Sequence, residues 1–517
     1  MSNGFLNPSA AISPSREQCA EAWGAGAASV VFSVEPADLL TPVAALLRLR
    51  GLDGGTGRNT LLLESVEGGL VRGRYSIIAL KPDLIWKCHD GRASISRDPD
   101  GGDEAFKPVA GTPLDSLRDL IASSRLDLAD GLPPMTGGVF GYLGYDMVRQ
   151  MERLPDAPPD DLELPEAILM RPGLFAIFDG VTDELILAAP IRPSDDDMPD
   201  AAWERATSLI ARAKACLASA MPEEPAISSK DVPLELGEVR STFTETEFCD
   251  VVRKIQDYIT AGDAFQVVPS QRFSARFPLS SLHLYRALRR VNPAPFLFHL
   301  DFGDFTLVGS SPEILVRLRD GKVTVRPLAG TRPRGKDLEE DKRLEADLLA
   351  DEKERAEHLM LIDLGRNDVG RVSIAGSVKV TEKFIIERFS HVMHISSNVE
   401  GMLRPDLDAL DALVAAFPAG TLTGAPKIRA MEIIDEVEHS RRATYAGCIG
   451  YFGANGDMDT CIGLRMAVVK DGEMHVQAGC GVVADSVPQL EYEETRHKAR
   501  ALFRAAEIAV RQASQTA

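Results

Sequence analysis

Nowhere in its 517 residues does the chain run 18 or more apolar positions in succession. A membrane-spanning helix needs about 20 such residues, so no membrane association is expected. Cysteine is scarce: seven residues, an odd number, run from Cys19 to Cys480 without a CxxC pair. That argues against a disulfide framework and for reduced thiols in a cytoplasmic setting. Positive charge is also short, with 57 Lys and Arg against 77 Asp and Glu, a net charge of -20. A general nucleic-acid binder needs a positive surface to displace counterions, so no nucleic-acid partner is expected. A small anionic substrate stays open, because a few placed cations can override the global field locally. Rossmann and P-loop glycine patterns are missing, as are internal repeats, which disfavours a doubly wound parallel fold.

What is present reads as an α+β protein: a large, mainly antiparallel β-sheet sandwich with helices packed outside. Residues 1–25 are polar, lack an apolar signal core and read as a flexible N-terminal arm. Residues 26–220 form an N-terminal region of short apolar runs between turn residues, such as Thr60 to Ser65 and Tyr75 to Leu80. Residues 221–243, with Pro-Glu-Glu-Pro and Ser-Ser-Lys-Asp, read as a linker. A new region, 244–517, opens on the capping box Thr244-x-x-Glu247 and alternates strands with helices, the latter expected near 281–290, 338–361, 407–416, 425–438 and 488–512.

Two of those helices carry acidic pairs. Glu354 and Glu357 are three apart, with His358 beside them; Glu491 and Glu494 are three apart, with Lys498 a turn further on. Residues at i and i+3 share a helix face, so each helix offers two carboxylates to whatever it packs against. Solvated acidic faces are the ordinary reading of such runs. If the two faces meet, they repel unless a cation sits between them, and an all-oxygen donor set suits Mg²⁺ rather than Zn²⁺. Glycine-interrupted loops lie nearby at Pro327 to Arg334, Gly420 to Pro426 and Gly479-Cys480-Gly481. The second precedes a helix, whose amides and dipole could bind an anion; the third could offer backbone N–H groups to a carboxylate. Arg465 interrupts the apolar run Cys461 to Ala467, where a strand is expected, and is costly there unless it meets an acid or clamps a substrate carboxylate.

Seven motifs, in order, give these features a family. They are Phe265-Gln-Val-Val-Pro-Ser270, Gly309-Ser-Ser-Pro-Glu313, Pro327-Leu-Ala-Gly-Thr-Arg-Pro-Arg-Gly335, Glu357-His-Leu-Met-Leu-Ile-Asp-Leu-Gly-Arg-Asn-Asp368, His391-Val-Met-His394, Gly420-Thr-Leu-Thr-Gly-Ala-Pro-Lys427 and Ala484-Asp-Ser-Val-Pro-Gln-Leu-Glu-Tyr-Glu-Glu-Thr495. Together they resemble the chorismate-utilising enzymes, and among these the large subunits of anthranilate synthases. The resemblance implies that Glu357 and Glu494 bind Mg²⁺, with Glu354 and Glu491 supporting through water. It places Gly330, Thr331, Tyr445, Arg465, Gly479, Cys480 and Gly481 around chorismate. Cys480 stands where the family commonly has Ala. Glu313 corresponds to the general acid that protonates the departing C4 hydroxyl; His394, Thr421 and Lys498 also occupy active-site positions. An unperturbed Glu, with a pKa of about 4.3, is ionised at pH 7, so Glu313 has to be desolvated or set among negative charge to serve.

Relatives that add water resemble one another in a Lys at the position of Gln266, and those that make aminodeoxychorismate commonly carry a Lys in place of Ala329. This chain has neither, which suits ammonia arriving from outside. It also lacks a Gly-x-Cys-x-Gly nucleophile elbow, so a separate glutamine amidotransferase subunit is the expected source, in a heterotetramer of two large and two small subunits. Leu62-Leu-Glu-Ser65 with Gly73-Arg-Tyr-Ser76, and Asn292-Pro-Ala-Pro-Phe-Leu297, resemble the two halves of a tryptophan inhibitor site. The resemblance thus implies an inhibitor pocket at Ser65, Pro295, Phe296 and Leu297. Lying on either side of the linker, these segments suggest control by shifting one half of the chain against the other. Two alternatives stand beside this reading: an aminodeoxychorismate synthase large subunit, and a non-catalytic metal-binding or interaction protein on the same scaffold.

Overall fold

The computed structural model describes residues 12–67, 71–194, 197–222, 236–389 and 392–516. Period-two alternation turns most of the short apolar runs into strands, and 21 of these join one continuous sheet whose pairings are all antiparallel. The longest, Tyr75–His89, pairs with Thr60–Glu64 on one side and Ala167–Asp179 on the other. The inner faces, among them Ile77, Phe140, Phe175, Phe298 and Ile449, pack with loop residues such as Leu126 and Leu164 into a core between the sheet layers. Helices cover the outside: Pro42–Leu49, Pro199–Ala218, Ser281–Val291 and Pro488–Thr516 on one flank, and Pro113–Ser123, Glu352–Val372, Ala409–Ala416 and Lys427–Val437 on the other. This is the expected α+β sandwich.

The sheet ignores the division into two halves. Thr60–Glu64 pairs with Phe296–Asp301, with Leu297 opposite Glu64, and Gly138–Leu143 pairs with Cys448–Gly453. Strands from both sides of the expected linker are therefore hydrogen-bonded neighbours, so the segments around Ser65 and Phe296 do not belong to two separate bodies. Of the linker itself, residues 223–235 lie outside the described residues, and Arg240–Ser241 already pairs with Phe273 and Ser274.

Other expectations are corrected locally. In the arm expected at 1–25, residues 1–11 lie outside the described residues, but Arg16–Gly24 is a helix. Ser15 and Gln18 form its capping box, Cys19 is buried, and Arg16 pairs with Asp200 at 2.7 Å. The single helix expected at 338–361 is two, Leu338–Ala350 and Glu352–Val372, broken at Asp351. The Asp351 carboxylate accepts the amides of Lys353 and Glu354 as N-cap of the second, which aims that helix in a new direction. Arg465 is not within a strand: Met458–Ile462 ends before it, Met466–Lys470 begins after it, and Arg465 takes φ +53° between them.

Candidate active site

The redirected Glu352–Val372 helix and the start of Pro488–Thr516 face each other across a cavity of about 770 Å³. Helical spacing puts Glu354 and Glu357 on one wall and Glu491, Glu494 and Lys498 on the other. Burial raises the pKa of Glu354, Glu357 and Glu491, and neighbouring carboxylates raise each further: Glu357 acts on Glu354, and Glu494 on Glu357 and Glu491. Each acid nevertheless has a local partner. Lys498 Nζ lies 2.7 Å from Glu494, Gln266 donates to Glu357 at 3.1 Å, and Arg332 donates to Glu354 at 3.3 Å. Among the described residues no three His, Cys, Asp or Glu side chains stand together closely enough to hold an ion as they lie. The donor set still fits a hard cation, since a dication would relieve the mutual repulsion that burial intensifies. His358 takes no part: its Nε2 lies 2.7 Å from Ser397 Oγ, buried against Val392–Met402.

Glu313 meets the condition set by the sequence. It is buried, and burial pushes its pKa up to about 8 despite hydrogen bonds from Leu328 N–H at 3.4 Å and Thr421 Oγ1 at 3.2 Å. At pH 7 it holds its proton. His394 pairs opposite Thr331 in the sheet, with Nδ1 at 2.9 Å from Gly330 O and 3.1 Å from Thr331 Oγ1. A carbonyl only accepts, so Nδ1 carries the hydrogen. Burial pushes the pKa of this ring down to about 4, so it is neutral at pH 7 with Nε2 as its acceptor.

Arg465 opens onto the same cavity and donates to Lys498 O at 3.2 Å, but has no carboxylate within ion-pair distance among the described residues. Burial lowers its pKa, as expected of a buried cation lacking a counter-ion. Tyr445, Gly479, Gly481 and Thr421 line the cavity with it. A Cβ on Gly481 would stand 2.8 Å from Gln266 Nε2, and Gly330, at φ +66°, lies against Glu354. Cys480 is a correction: it is fully buried in a satellite core with Phe248 and Ile434, and its N–H is donated to Pro269 O at 3.1 Å. Strand pairing has used the amide that a substrate was expected to take. The end of the Gly420 loop is paired too, with Gly424 opposite Val267 and Ala425 opposite Gln266.

Behind this cavity lies a second, of about 790 Å³, inside the sandwich. Ser65, Pro295, Phe296 and Leu297 all line it, beside Leu63, Gly73, Arg74 and Tyr75. Pro312 and Leu328 belong to the walls of both cavities. The sequence reading missed several contributors: Arg332, which ties Glu354 to Asp351; Gln477 in the cavity wall; and the buried pair Arg442–Glu438. Glu438 and Arg442 are four apart, a spacing that on a helix face reads as a solvated ion pair.

Comparison with known proteins agrees with the motifs. Residues 79–504 match the family of chorismate binding enzymes. Anthranilate synthase component 1 of Cereibacter sphaeroides is 53% identical over 487 residues, covering 94% of this chain and 96% of the relative. The protein of the same name from Pseudomonas aeruginosa is 48% identical over 480 residues, covering 92% and 94%. The crystal structure of anthranilate synthase component I from Streptococcus pneumoniae, 36% identical, superposes with a TM-score of 0.72 over 83% of this chain and 92% of that one. The menaquinone-specific isochorismate synthase of Escherichia coli, 18% identical with a TM-score of 0.68, shares the fold. The chain belongs to the chorismate-binding enzymes, in the group of anthranilate synthase component 1.

Proposed function

We propose that the chain converts chorismate and ammonia to anthranilate and pyruvate, the committed step toward tryptophan. Glu313 carries this reading: a carboxyl protonated at neutral pH, facing a cavity that also presents Glu354, Glu357, Glu491 and Glu494 and an arginine without a carboxylate partner among the described residues. Hydroxide is a poor leaving group, and a positioned general acid is typically worth ~10²–10⁴ in rate. Glu313 gives its proton to the C4 hydroxyl as ammonia attacks C2, so water departs. Loss of pyruvate from the 2-amino intermediate then yields the aromatic ring. Arg465 and Tyr445 hold the enolpyruvyl carboxylate, and His394 Nε2 is free to accept a proton near the Gly330–Thr331 side of the ring.

Glu357 and Glu494 would hold Mg²⁺, with Glu354 and Glu491 supporting through water; the ion supplies positive charge for the ring carboxylate. Gln266 and Ala329 line the cavity where relatives that add water or build an enzyme-bound amine carry lysine. Their lack of a basic group supports external ammonia over the aminodeoxychorismate alternative. A separate glutaminase subunit would deliver it, and tryptophan would occupy the second cavity as inhibitor. Incubating the pure chain with chorismate, Mg²⁺ and ammonium should produce anthranilate fluorescence. A 4-amino product, or turnover with glutamine by the isolated chain, overturns the reading.

A further inference from the structure

Arg442 and Glu438 lie under the active cavity, with side chains 1% and 3% exposed. Their contacts radiate to three of its walls. Arg442 Nη2 donates to Val268 O at 2.6 Å and Nη1 to Leu422 O at 2.7 Å, while Nε holds Glu438 at 3.0 Å. Glu438 in turn accepts the N–H and the hydroxyl of Ser270, both at 2.8 Å, and Gln477 donates to that hydroxyl at 2.9 Å. The guanidinium lies over the ring of Tyr445, 5.6 Å from its centroid. Val268, Leu422, Tyr445 and Gln477 all line the cavity, and Thr421, next to Leu422, donates its hydroxyl to Glu313 beside the Leu328 N–H.

A buried ion pair is a poor device for stability alone, because well-packed apolar residues of similar volume often serve as well or better. Two carbonyls on separate segments and one carboxylate, all reached from a single planar fork, are something only arginine supplies. We propose that Arg442–Glu438 is a positioning pair for the reaction, fixing the Val268–Ser270 and Gly420–Thr423 walls relative to each other and, through Thr421, setting Glu313 against the substrate. This rests on the reading of the cavity as the chorismate site.

The test uses Arg442→Lys, which keeps the charge but cannot reach all three acceptors, and Thr421→Val as reference. A misplacement of about 1 Å can cost 10²-fold in rate, so ammonium-dependent kcat in Arg442→Lys should fall roughly 10- to 100-fold, by more than KM rises. Thr421 holds the Glu313 pKa down, whereas Glu387 raises it and Lys498 lowers it from positions the variant leaves alone. Both variants should therefore move the alkaline limb of kcat/KM to higher pH, and their combination should move it no further. A role in stability alone lowers the amount of folded enzyme and leaves the limb in place. Should Arg442→Lys fail to fold, the volume-matched Arg442→Met with Glu438→Leu takes its place, with the same kinetic signature expected. Amide exchange, which needs no activity, should quicken in segments 266–270 and 420–423 but not in the outer strands 29–36 and 184–191. An unmoved limb, or unchanged exchange in either segment, overturns the proposal. A parent enzyme that makes no anthranilate refutes the functional reading instead, and exchange still decides the role of the pair.

Discussion

In the cavity that holds Ser65 and Phe296, every lining arginine meets a carboxylate: Arg74 with Asp179, Arg317 and Arg319 with Asp459, Arg326 with Glu382 and Glu387, and Arg388 with Asp341 and Glu345. Across the shared wall, Arg465 meets none among the described residues, and burial keeps Glu313 protonated although Lys498 acts against it. Burying charge without a counter-ion is costly, and a fold that keeps such groups side by side in a cleft holds them for a ligand that completes the pairing. The comparison separates a chamber whose electrostatics are settled from one that waits for substrate. Substitutions in the second should stop chemistry, and those in the first should alter only what binds and how it is felt next door.

The largest effect is expected at the acids. Glu357→Gln or Glu494→Gln removes one negative charge with little change of volume, at a site read as holding a dication. Either should abolish anthranilate formation while circular dichroism and melting stay near the parent. Near-normal turnover at modest Mg²⁺ in either variant would remove it from the ligand set.

Glu313→Gln comes next, with an expected loss of ~10²–10⁴ in kcat, the usual worth of a general acid. The sign of the pH dependence follows from the raised pKa. The acid is competent below about pH 8 and is lost as pH rises through that value, so kcat/KM should fall on the alkaline side with an apparent pKa near 8. An unshifted Glu would already be ionised at pH 7 and would give no such limb. A flat profile from pH 7 to 9 would exclude Glu313 as the acid.

How much of this the sequence disclosed depends on how local each feature is. Helical spacing alone put Glu354 with Glu357 and Glu491 with Glu494, and the capping box at Thr244 marked the start of Glu245–Ala261; both depend on residues within one turn. The facing of the two acidic helices was legible only through the family motifs, since residues more than a hundred positions apart meet by tertiary packing. Cys480 was misplaced because a glycine loop announces free amides, whereas Pro269 takes this one from a distant segment. Arg465 was misassigned to a strand because apolar neighbours conceal a break that only the backbone dihedral reveals. Arg442 gave only a misleading signal: its spacing from Glu438 reads as a solvated pair, and its other partners, Val268 and Leu422, offer backbone carbonyls, which every residue has.

The smallest expected effect concerns the settled chamber. Tryptophan should bind against Ser65, Pro295 and Phe296, and Ser65→Phe should fill that space and relieve inhibition while leaving ammonium-dependent catalysis largely intact. Leu297 sits opposite Glu64 in one sheet, so any such effect is expected without parting two halves of the chain. The shared wall offers a shorter route. Leu328 lines both chambers and its N–H is bonded to Glu313, Pro312 precedes Glu313, and Glu387 lines the second chamber while its charge acts on Glu313. A ligand that shifts this wall changes the acid directly. Coupling of this kind corresponds to about 1–3 kcal/mol, a factor of 5–150, and must be reciprocal in binding. Saturating chorismate should therefore weaken tryptophan binding by the same factor by which tryptophan weakens chorismate. Calorimetry that finds tryptophan affinity indifferent to chorismate, or a Ser65→Phe enzyme inhibited like its parent, would show that the two chambers share a wall without sharing energy.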